Sequence, residues 1–389
     1  MQLVPFSYNL RSLLVRRSTT LLTVISIGAT VAVISGVQAL QQGFVTIFEE
    51  GGRTDVAVML RPGATTENQS GFTLDSGEIL LKSTPQFALT EDGRPMASAE
   101  NYMAVRLFKV GGGETNVPVR GVQPMTMTIR ADDLEMLEGR TFKPGTDEII
   151  VGDKLTRRIR GCQVGEVIRL NTVPFTVVGV FSDEGTFSSE IWGDLDRMAD
   201  ALQRSVYNRV IGVLRPGVDV DAMVEAYKAH PQVPTSVMTE ADYLMAQTGV
   251  ISATLRGLGV FLALIMGVAA VFTTTTTMQA ALAARTHEIG ILACLGFRPI
   301  AILLSFLFES FVLGVLGGLA GIVLTLPLNG IETGTTNMIT FTEVAFAFRI
   351  TPQVLGTAIA FSILLGLLGG AIPALRAARM TAVEALRRA

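Results

Sequence analysis

The residues able to carry covalent or metal chemistry are few and far apart. The chain has two histidines, His230 and His287, and two cysteines, Cys162 and Cys294. Two distant thiols build neither a disulfide framework nor a cysteine zinc site. His287-Glu288 opens like the helix of a zinc protease, but position 291, where the second histidine is required, is Ile. No Gly-Lys pair occurs, which excludes a Walker A phosphate loop. No G-x-G-x-x-G follows a strand, and there is no G-x-S-x-G elbow. Carboxylates are plentiful, but with nothing to pair them they read as a solvated face. The side chains make no positive case for an enzyme, a metal or a cofactor, and a net charge of −3 makes none for nucleic acid.

Four features of position remain. Glu309 lies in an otherwise apolar run, where a charge costs on the order of 2.5–3.5 kcal/mol at bilayer depth. It must therefore face a partner helix or water, or be protonated. Glycines recur four residues apart, at Gly314/Gly318, Gly317/Gly321 and Gly366/Gly370. That spacing lets helix backbones approach closely, though spanning helices carry small residues generally. Threonines 273–277 read mainly as hydroxyls bonding back to their own helix carbonyls. Last, the segment 279–298, QAALAARTHEIGILACLGFR, is helix-prone and ends at Gly296. A short helix with Arg285, His287 and Glu288 would offer a knob to a soluble partner. Taken alone, a solvated loop explains it equally well.

The elements that must position these residues follow from composition. Of 389 residues, 49% are hydrophobic and 17% charged, against roughly 25% charged in a soluble domain. Mean hydropathy is +0.46. Residues 41–250 hold 29 of the 34 acids and 20 of the 31 bases. An acidic block thus sits within an apolar, basic frame. Runs 18–48, 257–284 and 350–375 carry no charge, and 300–326 carries only Glu309. Each is long enough to cross about 30 Å of hydrocarbon at 1.5 Å per residue. The first is too long for a signal-peptide core, so a retained anchor is expected. Arg11, Arg16, Arg17, Arg285, Arg298, Arg376, Arg379, Arg387 and Arg388 can all face the cytoplasm together, which puts the acidic block outside and Cys162 and Cys294 on opposite sides.

The block reads as mixed α/β. Strand-like runs fall at 56–60, 105–110, 117–122, 148–151, 166–170, 175–181 and 210–214, with helices at 75–83, 153–160 and 219–230. Thr239-Glu240-Ala241-Asp242 has a helix-start pattern, and that helix is expected to continue into the second span.

In this order along the chain, the motifs resemble the MacB/FtsX-like permease family, the membrane subunits of type VII ABC transporters. Asn9-Leu10-Arg11 with Arg16-Arg17 is similar to its basic start. EIIVGDKLTRRIRGCQVGEVIRLNTVPFTVVGVF, from Glu148 to Phe181, is similar to its outer-domain run. RTHEIGILACLGFRP, from Arg285 to Pro299, resembles its Arg-x-x-Glu-Ile-Gly motif. IPALRAARMTAVEALR, from Ile372 to Arg387, resembles its ending, with Ala382 where Pro is usual.

The resemblance implies a membrane protein with four transmembrane helices and a large α/β extracytoplasmic domain between the first two. An amphipathic cytoplasmic helix would span 1–18, helix one 19–43 and the outer domain 44–246. That domain would divide into a porter-like part, 44–124 and 203–246, and an inserted β-rich part, 125–202. Stalk and helix two would follow at 247–280, the coupling loop at 281–299, helix three at 300–326, a short outer loop at 327–351, helix four at 352–375 and a tail at 376–389. Arg285, Thr286, His287, Glu288, Ile289, Gly290 and Ile291 would form the coupling helix, with Glu288 and Arg285 the foremost contacts. The partners implied are a dimer of ATP-binding subunits, which would hold ATP and Mg, and a second permease chain, identical or not. A periplasmic adaptor would join them in an exporter. The protein would sit in the bacterial inner membrane with both termini cytoplasmic. It would relay ATPase movement to export or extract a substrate. The alternative is an FtsX-like transducer that activates a cell-wall hydrolase without transport.

Overall fold

The computed structural model describes residues 11, 13–183, 185–336 and 342–381. Most of the expected 1–18 helix and the tail from residue 382 lie outside them. The chain divides into two compact units: Met1–Gly43, Ala253–Ile331 and Ala347–Ala389 form one, and Phe44–Ser252 with Glu332–Phe346 the other.

Five helices matter for the first unit: α1 (Arg17–Glu50), α2 (Glu240–Ala284), α3 (Thr286–Cys294), α4 (Pro299–Thr325) and α5 (Pro352–Arg379). Four of these contain stretches long and apolar enough to cross a membrane. Their starts are chemically marked. Pro299 and Pro352 occupy first-turn positions, where a missing N–H costs nothing. The Asp242 N–H donates to Thr239 Oγ at 3.1 Å, and α2 then runs unbroken for 45 residues.

The small residues lie where helices cross. A Cβ on Gly314 would fall 2.9 Å from Ile363 Cα, and one on Gly366 2.5 Å from Ser310 O, so α4 and α5 touch backbone to backbone. Gly318 and Gly370 face Ser362 and Ser310 across the same seam, while Gly317 and Gly321 meet Ile27 and Val31 of α1. The threonine run serves two ends. Thr273 and Thr274 donate to the carbonyls of Ala269 and Ala270 one turn back. Thr275 reaches Gly369 O on α5 at 2.9 Å, and Thr23 of α1 donates to Thr277 at 2.8 Å.

The second unit is built on a ten-stranded sheet. Its strands are β1 (Val56–Leu60), β2 (Ala97–Phe108), β3 (Glu114–Val122), β4 (Glu135–Gly139), β5 (Glu148–Gly152), β6 (Val167–Leu170), β7 (Val173–Ser182), β8 (Ile191–Asp194), β9 (Arg209–Val213) and β10 (Ser236–Thr239). The order is β10-β1-β9-β2-β3-β8-β5-β7-β4, with β6 on β7. Strands β10, β1, β9, β2 and β3 come from 44–124 and 203–246, and the other five from 125–202. A parallel pairing of β3 with β8 joins the two sets into one sheet. Two apolar cores pack on it, one around Phe87, Leu80 and Met223, the other around Phe175, Ile149 and Met198 and taking in Leu107, Val117 and Val119 of β2 and β3.

Segment 327–351 is more than a connecting loop. It carries β11 (Glu332–Thr336) and β12 (Glu343–Ala347), which pair with each other. Glu343 accepts from Lys109 Nζ at 2.7 Å and from Thr115 Oγ at 2.5 Å, and it also pairs with Arg158. The hairpin is thereby clasped to the second unit.

Candidate functional site

α2 ends at Ala284 because Arg285 leaves helical geometry (φ −117°, ψ 12°), and α3 starts at once. Gly296, at φ +86°, stops α3, a left-handed position that suits glycine. Arg298 is extended ahead of Pro299, which opens α4. The result is a short helix held between two spanning helices.

The seven residues singled out from sequence divide by face. The Arg285 side chain is only 8% exposed and turns inward. Its Nη1 donates to Glu309 Oε2 at 3.0 Å and its Nε to Glu288 Oε2 at 3.3 Å. Its guanidinium stands 6.0 Å over the Phe306 ring. Glu309 is buried too, so the carboxylate of the third span finds its counter-charge at the start of the short helix. Ile289 and Gly290 are buried, Ile289 among Met278, Leu282, Ile302 and Phe306. Thr286 closes its hydroxyl onto the Ala283 carbonyl at 3.0 Å. His287, Glu288 and Ile291 face outward, and Cys294, Leu295 and Arg298 continue the same surface. His287, Glu288, Ile291 and Cys294 recur at steps of three and four, the period of one helix face, and Leu295 and Arg298 follow beyond the helix end. Ile291 is 45% and Leu295 67% exposed. The face is therefore an apolar patch edged by Glu288, His287 and Arg298, with its back pinned by Arg285. Arg285, expected as a surface contact, is an internal pin in this structure.

The second unit holds a constellation that sequence reasoning missed. Arg120 grips Glu190 with both Nε (2.7 Å) and Nη2 (2.8 Å), and its Nη1 donates to Glu67 (2.7 Å) and Glu100 (3.0 Å). Arg209 donates to Glu100 at 2.7 Å and Glu67 at 2.9 Å. Arg130 pairs with Glu240, the first residue of α2. The Phe187 ring lies beneath all three guanidiniums, 4.7 Å from that of Arg130. Burial pushes Glu100 up, but Arg209 and Arg120 outweigh it and hold the carboxyl below its usual range. The antiparallel register of β2 on β9, which sets Glu100 opposite Arg209, makes this network possible. Only Arg120 lies inside a run that read as a strand, and its charge there was the one available signal. Nearby, burial raises Asp183 to about 6, against the pull of Arg130 and of hydrogen bonds from the Phe187 and Gly185 N–H groups.

Among the described residues, no group of three or more His, Cys, Asp or Glu side chains could hold a metal ion.

Comparison with known proteins finds two family models that match in succession along the chain. Residues 18–230 match the MacB-like periplasmic core domain, and residues 260–382 the FtsX-like permease C-terminal domain. The chain is 27% identical over 298 residues to the macrolide export ATP-binding/permease protein MacB of Bdellovibrio bacteriovorus, covering 70% of this chain and 44% of that protein. It is 28% identical over 378 residues to the pyoverdine export ATP-binding/permease protein PvdT of Pseudomonas fluorescens, covering 86% and 55%. It is 24% identical over 413 residues to the uncharacterized ABC transporter permease YvrN of Bacillus subtilis, covering 98% and 97%. The chain thus spans about half the length of the first two. Among solved structures, the periplasmic region of MacB from Actinobacillus actinomycetemcomitans aligns at a TM-score of 0.37 and 13% identity, covering 53% of this chain and 94% of that one. With domain models matched in order across both units, the chain belongs to the MacB/FtsX-like family of ABC transporter permeases.

Proposed function

We propose that this chain is the transmembrane subunit of an ATP-driven exporter, and that α3 is the coupling helix acted on by a separate ATP-binding subunit. The observation that carries the reading is the two-faced character of α3: His287, Glu288, Ile291 and Leu295 look outward while Arg285, locked to Glu309, holds the back. A knob so anchored passes a push to α2 and α4 instead of absorbing it. The unbroken α2, held at its first residue by Arg130, extends that path to the sheet.

In this reading two permease chains, identical or not, pair in the bacterial cytoplasmic membrane. The termini and α3 lie in the cytoplasm with the excess of arginines, and the acidic domain lies outside. ATP and Mg belong to the partner subunit, and mechanotransmission is this chain's task. Relatives named as macrolide and pyoverdine exporters support export over activation of a hydrolase. Those cargoes are theirs. A periplasmic adaptor would complete an export route.

The test is Glu288→Lys in the reconstituted complex. Reversing a charge at a docking surface should weaken ATPase stimulation about tenfold or more, with the outer domain still folded. Unchanged stimulation would refute the coupling role of α3.

A further inference from the structure

We infer that the end of α5 forms a binding site for a bilayer lipid with an anionic phosphate head group. Where α2 and α5 end side by side, they leave a groove of about 580 Å³. Arg376 and Arg379 stand on one wall, three residues apart and both exposed. Residues at that spacing share a helix face. Among the described residues, neither guanidinium has an ion-pair or hydrogen-bond partner, and no carboxylate lines the groove. Gln279 and Thr286 also line it, and Leu282, Ala283 and Met380 supply its apolar part.

Depth, charge and shape agree on the occupant. Residues 350–375 carry no charge. At 1.5 Å per residue they traverse the hydrocarbon, so the next residue, Arg376, emerges at head-group level. The C-terminal dipole of α5 is worth about half a negative charge, which two guanidiniums exceed. Arginine forks fit phosphate oxygens in pairs. From Arg379 an exposed apolar stripe, Leu375, Ile372 and Leu368, runs back along α5 into the bilayer, as an acyl chain attached to that head group requires. Basic pockets between spanning helices recognise anionic lipids in this way. The inference holds whether or not an ATP-binding subunit docks on α3.

The full chain in mild detergent, offered phosphatidylglycerol or phosphatidylcholine, tests it by native mass spectrometry. Phosphatidylglycerol should be retained about tenfold or more over phosphatidylcholine. The preference should vanish in Arg376→Gln/Arg379→Gln and survive in Arg376→Lys/Arg379→Lys. Equal retention of the two lipids, or an unchanged preference in the glutamine variant, would overturn it. Displacement of the lipid by millimolar inorganic phosphate would make this a free-anion site and overturn it as well. So would loss of captured ATP-binding subunit with lipid retention intact, which would assign the arginines to a protein interface. Should the glutamine variant fail to fold, a photoreactive residue in place of Leu375 keeps the test open. It should label a phosphatidylglycerol analogue far more than the same residue at Leu264, an exposed position on α2. Equal labelling would count against the site.

Discussion

Arg285 donates to Glu309 at 3.0 Å with both side chains shut away from solvent, so the start of α3 and the body of α4 share one buried charge pair. Such a pair adds little net stability over an apolar replacement, but stranding one partner is costly. Either Arg285→Leu or Glu309→Leu should therefore destabilise the folded chain by about 3–5 kcal/mol, and the double variant should recover much of that. Thermal unfolding in detergent reads the difference. A double variant as unstable as the sum of the singles would rule out a mutual pair.

The α4–α5 seam makes a sharper steric prediction. Gly366→Ala places a Cβ 2.5 Å from Ser310 O, so the helices must part. Gly356 lies on the same helix with open space around its would-be Cβ. Gly356→Ala should be neutral or gain up to about 1 kcal/mol from helix propensity, whereas Gly366→Ala should lower the melting temperature clearly. Equal responses would contradict the close crossing.

Asp183 supplies a pH dependence. Its carboxyl is raised to about 6 from 3.8, with burial the leading cause. The folded state therefore binds its proton more tightly than the unfolded chain. That contribution is fully present below pH 4, fades as pH rises through 4 to 6, and is absent above. Asp183→Asn keeps an acceptor for the Gly185 and Phe187 N–H groups and carries no charge. It should stabilise the chain at pH 8 by at most about 3 kcal/mol, with the gain vanishing near pH 4. A gain independent of pH would show that Asp183 is not the titrating group.

The spans were legible because charge-free runs of this length have few other uses, and the start of α2 because Thr239 and Asp242 mark it. Seven of the strands overlap runs visible in the sequence. The short strands β4, β8 and β10 were not legible. Neither was the hairpin at 332–347, whose first strand, ETGTT, has no apolar alternation. The site was legible as a segment and not as a geometry. That a helix-prone segment lies between two spans could be read from composition, which fitted a solvated loop equally well; that 286–294 is helical is seen only in the fold. That Arg285 turns inward depends on Glu309, a residue 24 positions away on another helix. Likewise, the network of Glu67, Glu100, Arg120, Glu190 and Arg209 exists only once strand order is fixed.

The most direct measurement uses a thiol the protein already carries. Cys294 is exposed on the outward face of α3, while Cys162 is buried and its thiol is pushed up to about 12, too high for a reactive thiolate at neutral pH. Maleimide should label Cys294 alone on the isolated chain. When the cognate ATP-binding subunit is bound, labelling should slow by about tenfold or more, as a residue excluded from water by an interface does. Equal labelling with and without that subunit would mean that this face docks nothing, and the coupling role of α3 would fall.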